Sequence, residues 1–132
     1  MKKKRNSFLV FILFGIIIFM SFSCNQSNEK NQLVYTEGDK KIELIFEGGN
    51  KFLILDKPTK AKFVTKNIDN QHFLIVGPGI SRNTENNSEY RWIITAPKGS
   101  LTDGKLKIRA REVIENGEDL NAEFLVNVKT TE

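Results

Sequence analysis

An all-β fold is predicted for this chain from Leu33 onward, and three observations carry the prediction. Apolar and polar residues alternate with period two in several short stretches, Gly, Pro, Asn and Asp punctuate those stretches, and helical spacing is almost absent. Roughly seven or eight strands in about 100 residues imply a single antiparallel β-sandwich or, failing that, a small barrel.

The residues ahead of that region have a different character. Lys2, Lys3, Lys4 and Arg5 form a positive cluster, and residues 8–20 are apolar without a break. Those 13 residues fall short of the roughly 20 that a helix needs to cross the hydrocarbon core, so residues 1–23 read as a signal peptide rather than a permanent span. The run ends four residues before the only cysteine, Cys24.

Ser21, Phe22, Ser23 and Cys24 resemble the lipobox of bacterial lipoproteins, with Ser21 standing where an aliphatic residue is commonest. The resemblance covers residues 1–24. It implies a diacylglyceryl group on the Cys24 thiol, cleavage after Ser23, and a membrane partner held through acyl chains. With one cysteine in the chain, an intramolecular disulfide is excluded.

Removing this segment changes the electrostatic picture. Four of the twenty basic residues and none of the sixteen acidic ones lie in the first 24 positions, so the remainder holds sixteen of each. The formal charge of +4 is therefore a property of the targeting segment, and composition gives no support for a nucleic-acid partner. Residues 24–32, the expected lipidated cysteine followed by NQSNEKNQ, read as a flexible tether. Eight residues span at most about 28 Å extended and roughly 16 Å as a coil. The β domain is assigned to residues 33–132.

Within that domain Ile42, Leu44 and Phe46 share one face of the first clear strand, and residues 51–55 form the next. A hairpin joining them keeps the apolar faces together with Phe46 opposite Phe52 and a three-residue loop of Gly48, Gly49 and Asn50. Residues 60–66 and 72–76 read as a further pair turned at Asp69 and Asn70, with Ala61 and Phe63 on one face of the first. Four consecutive apolar residues, Phe73 to Val76, predict burial of the second on both sides.

Gly77, Pro78 and Gly79 end that strand, and residues 81–89, all polar, are expected to form an exposed, mobile loop. Tyr90, Trp92, Ile94 and Ala96 supply the inner face of another strand, and Thr102, Asp103 and Gly104 a turn. The last two strands alternate most cleanly: Leu106, Ile108 and Ala110 against Lys105, Lys107, Arg109 and Arg111, then Ala122, Phe124, Val126 and Val128. A two-residue hairpin at Asn116 and Gly117 would mix the faces by opposing Arg111 to Ala122, so a longer loop or bulge is predicted.

Strand number and patterning resemble the immunoglobulin-like sandwich, with Trp92 expected near the centre of the core beside Phe63, Phe73, Ile108 and Phe124. The Cys and Trp spacing of antibody domains is missing.

Chemistry-bearing residues are few. His72 is the only histidine and sits beside Phe73 at a strand start, which favours a hydrogen-bonded structural role over a catalytic triad or a multi-histidine metal site. Glu112 falls at the end of the inner face of its strand, a position first explained by fraying toward the turn. Glu115, Glu118 and Asp119 lack the ligand spacing of a calcium loop. No catalytic residue, cofactor or metal ligand is assigned.

The surface feature singled out is the stripe Lys105, Lys107, Arg109 and Arg111, four cations at period two, which either meets an anionic partner or is compensated by a neighbour such as Glu123. Two functional readings follow. One is a non-catalytic, lipid-anchored binding or assembly module that engages an envelope protein or glycan. The other is an inhibitor or small enzyme acting on such a partner.

Overall fold

The computed structural model describes residues 33–131, so the predicted signal peptide, Cys24 and the tether lie outside the described residues. The described chain is all-β, with ten strands and three short 3-10 turns. The strands are β1 (Val34–Glu37), β2 (Lys40–Phe46), β3 (Phe52–Ile54), β4 (Thr59–Lys66), β5 (Phe73–Val76), β6 (Ile80–Arg82), β7 (Trp92–Ile94), β8 (Leu101–Thr102), β9 (Lys105–Glu112) and β10 (Leu120–Lys129).

They form two sheets. The first has the order β1-β2-β4-β7-β6; the second has the order β3-β10-β9-β5, with β8 paired to the start of β9. Without the β1 and β8 additions, the orders β2-β4-β7-β6 and β3-β10-β9-β5 reproduce the immunoglobulin arrangement of ABED against GFC, with the first strand divided between the sheets. That division adds a parallel pair, β3 with β10, to an otherwise antiparallel ladder.

The division also corrects the expected hairpin between residues 42–46 and 51–55. Phe46 is opposite Ala61 of β4, and Phe52 is opposite Asn127 of β10 in the other sheet. Gly48 and Gly49 both sit at positive φ, +80° and +73°, a region that glycine enters without a Cβ penalty. They carry the chain across the edge of the sandwich instead of folding it back.

The second expected pair is corrected in the same way. β4 pairs with β2 and β7, whereas β5 pairs with β9 across the sandwich. The crossing segment is held by Asp69, whose side chain accepts from the Gln71 N–H at 2.9 Å. β5 is covered on one face alone: Phe73 and Ile75 pack against the core, while Leu74 and Val76 are exposed.

Between the sheets, Ile42, Leu44, Phe46 and Ile94 of the first meet Leu53, Leu106, Ile108, Phe124 and Val126 of the second, all fully buried. Each such side chain is worth about 1.5–3 kcal/mol of burial. Phe63 meets Phe124 and Phe73 edge-on, with centroids 6.0 and 6.3 Å away. The aromatic centre is thus Phe63, Phe73 and Phe124. Trp92, expected there, is only partly buried, because β7 has just the short strand β6 beyond it; the Arg82 guanidinium lies 5.6 Å from its ring centroid.

The β8–β9 turn is the tight one predicted. Leu101 opposes Leu106, and Asp103 and Gly104 take φ of +50° and +71°, as a two-residue hairpin that follows the sheet twist requires. The β9–β10 connection is long, with Glu112 opposite Leu120 and Arg111 opposite Asn121. This keeps the faces matched.

Candidate functional site

The titratable groups at the upper end of β9 turn out to hold the fold. Glu112 is 4% exposed on the inner face, so it is not frayed. Its carboxylate is paired with the Lys40 ammonium at the start of β2 and accepts from the Asp69 N–H at 2.8 Å. First the Asp69 N–H and then Lys40 pull its carboxyl below the usual range, which is the opposite of what a general acid needs. Glu112 therefore ties both sheets to the β4–β5 crossing.

His72 is exposed and its Nδ1 lies 2.8 Å from Asp69 Oδ2. The Gln71 N–H and then His72 hold the Asp69 carboxyl below its ordinary value. In the β9–β10 loop Asp119 takes the Arg111 guanidinium (Nε at 2.9 Å) and the Ile114 N–H at 3.0 Å, and its carboxyl is lowered by those contacts in that order. Among the described residues no three His, Cys, Asp or Glu side chains are grouped to hold a metal ion.

The basic stripe lies on the outer face of β9. Lys107, Arg109 and Arg111 are exposed, and Lys105 is half-buried at the start of the strand. Register explains its compensation: Glu123 on β10 stands opposite Arg109, with its carboxylate 3.2 Å from Lys107 and 3.8 Å from Arg109, and Asp119 takes Arg111. Exposed pairs of this kind contribute about 0–1 kcal/mol each and screen with salt, so they leave the cations available to exchange partners.

Sequence reasoning missed the neighbour of that stripe. Leu74 is opposite Arg111 and Val76 opposite Arg109, and the two aliphatic side chains are 53% and 64% exposed. They stand on β5, the terminal strand of its sheet. The signal was present in the four-residue apolar run, which marks a strand meant to be covered on both faces. One of those faces is bare.

Two other surface features are less directed. A cleft of about 440 Å³ opens where the chain changes sheets, lined by Phe52, Ile54 and Ile93 with Glu47, Asn50 and Lys60. Lys60 is already engaged there by Glu85 at 2.7 Å and Glu47 at 3.9 Å.

The polar stretch 81–89 begins inside β6, since Ser81 and Arg82 oppose Ile93 and Trp92. Its remainder is anchored. Asn83 donates to the Tyr90 carbonyl at 2.8 Å and to Ser88 at 3.2 Å, and accepts from the Glu85 N–H at 3.1 Å, while Lys62 pairs with Glu89.

No family model, curated protein or solved structure matches this chain. The geometry of the outer β5–β9 face is accordingly what a functional reading has to rest on.

Proposed function

We propose that this chain is a lipid-anchored, non-catalytic module of the bacterial cell envelope that binds a partner at the β5 edge and the adjoining outer face of β9. The observation that carries the binding reading is the exposure of Leu74 and Val76 on an edge strand, beside Arg109 and Arg111. Apolar side chains flanked by guanidinium groups are the mixture found in the centre of protein interfaces. Of the groups nearest to catalytic chemistry, Glu112 is occupied in bridging the two sheets, and His72 in a local pair with Asp69 within the β4–β5 crossing.

The anchor reading is supported by the apolar run that stops before Cys24 and by a tether short enough to hold the domain within about 28 Å of the lipid. Two measurements test the two parts separately. Cys24→Ala abolishes acyl labelling and detergent partitioning; unchanged labelling and processed mass refute lipidation. A photo-crosslinker in place of Val76 in the full chain, in its native membrane, gives a discrete adduct that the Leu74→Lys change removes. No adduct at position 76 refutes the binding face.

A further inference from the structure

β5 has the composition of a strand inside a sheet, yet it stands at the end of one. The Val113 N–H donates to the His72 carbonyl at 3.0 Å, which sets the phase of the ladder. The His72 carbonyl and the backbone groups of Leu74 and Val76 therefore face β9, and those of Phe73 and Ile75 face outward from the sheet. Natural edges are blunted with lysine, proline, bulges or inward charges. Phe73, Leu74, Ile75 and Val76 include none of these, and Pro78 comes two positions after the strand ends.

We propose that this edge pairs antiparallel with the same edge of a second copy, about a two-fold axis through Ile75. The proposal rests on the β5 edge being the binding face. Only residues whose backbone points outward can form the new ladder, which restricts the register to Ile75 against itself or a shift of two positions either way. Centred on Ile75, Leu74 of each copy lies opposite Val76 of the other, and Phe73 opposite Gly77. Both exposed aliphatic residues are then covered by apolar partners. Shifted registers set Val76 against His72 or Leu74 against Pro78 and leave half of the patch bare.

A second copy thus fits both requirements of the edge at once, an apolar outer face at matching spacing and an apolar inner side chain between them. Glu123 and Asp119, paired with Arg109 and Arg111, moderate repulsion between the two basic stripes across the seam. Four-residue strands bury less than the roughly 1,000 Å² of a stable soluble complex, so the pairing is weak in dilute solution. Anchoring both copies to one membrane raises their effective concentration and makes it the dominant contact there.

The test uses the full chain in its native membrane. Leu74→Cys and Val76→Cys chains carrying different tags are co-expressed and mildly oxidised. The centred register brings position 74 of one copy beside position 76 of the other as a non-hydrogen-bonded pair, in which side chains approach most closely. The mixture is expected to give several-fold more disulfide-linked dimer than either variant alone.

Equal linking in all combinations, no linking, or linking to a different protein overturns the proposal. A linked wild-type chain would indicate a free Cys24 thiol and refute the lipid anchor, while the excess in the mixture still reports the pairing. Amide exchange gives an independent readout: Phe73 and Ile75 become protected as protein concentration rises, whereas Leu74 and Val76 are protected throughout. Fast exchange at Phe73 and Ile75 at every concentration contradicts self-pairing.

Discussion

Removing the Glu112 carboxylate is predicted to be among the most damaging polar changes in the domain. Glu112→Ala deletes two charge-assisted hydrogen bonds, each worth about 1.5–3 kcal/mol, and leaves the Asp69 N–H without its acceptor. Lys40 offsets part of this, because its side chain is 25% exposed and can turn back to water rather than remain stranded. The net loss is about 2–4 kcal/mol, and at about 4–8 °C per kcal/mol for a domain of this size the midpoint falls by roughly 8–32 °C. Urea unfolding of wild type, Lys40→Met, Glu112→Ala and the double variant should return a coupling of about 1–3 kcal/mol.

The pH dependence follows from the direction of the shift. The folded-state carboxyl lies below the ordinary glutamate value of about 4.3, so its stabilisation is complete above that pH and is lost as pH falls through the depressed folded value. The stability gap between wild type and Glu112→Gln therefore closes in acid. A coupling near zero, or a gap that stays constant from neutral pH into acid, would refute the view of Glu112 as a charged tie between the sheets.

Two glycines separate backbone freedom from lack of space. At Gly79, with φ of +69°, an added Cβ would lie 1.8 Å from the Thr95 carbonyl oxygen, so Gly79→Ala is expected to cost more than about 3 kcal/mol or to prevent folding. At Gly38, with φ of +59° and nothing within 4 Å, the same change costs only about 1 kcal/mol by thermal melting. Asn83→Ala removes three local hydrogen bonds and should raise proteolytic cleavage within residues 84–90, with a global loss of about 1 kcal/mol.

The most legible part of the fold was the β9–β10 pair. Eight residues of unbroken alternation, with cations on one face, ruled out the two-residue hairpin that Asn116 and Gly117 signal, and the register that forms sets Ile108 opposite Phe124. The sheet changes were not legible. A Gly-Gly step after Phe46 reads the same whether the chain reverses or crosses, and the partner that decides, β10, is far along the sequence. Glu112 failed for a related reason: alternation put it inside, but its countercharge Lys40 lies 72 positions earlier. In the candidate site, the cations and their compensation by Glu123 followed from period two. The bare aliphatic pair on β5 did not, because a pattern reports which faces are apolar and not which are covered.

The parallel ladder between β3 and β10 also sets an order of events. Leu53 and Val128, 75 positions apart, are opposite one another, so the edge of the sandwich closes only after the last strand has arrived. Loop closure over such a distance adds entropy that no local contact repays, and all-β topologies of this kind fold in milliseconds to seconds. A chain threaded through a membrane from its N-terminus would stay unlatched during passage. The β3–β10 latch would engage only once β10 had followed β3 to the far side.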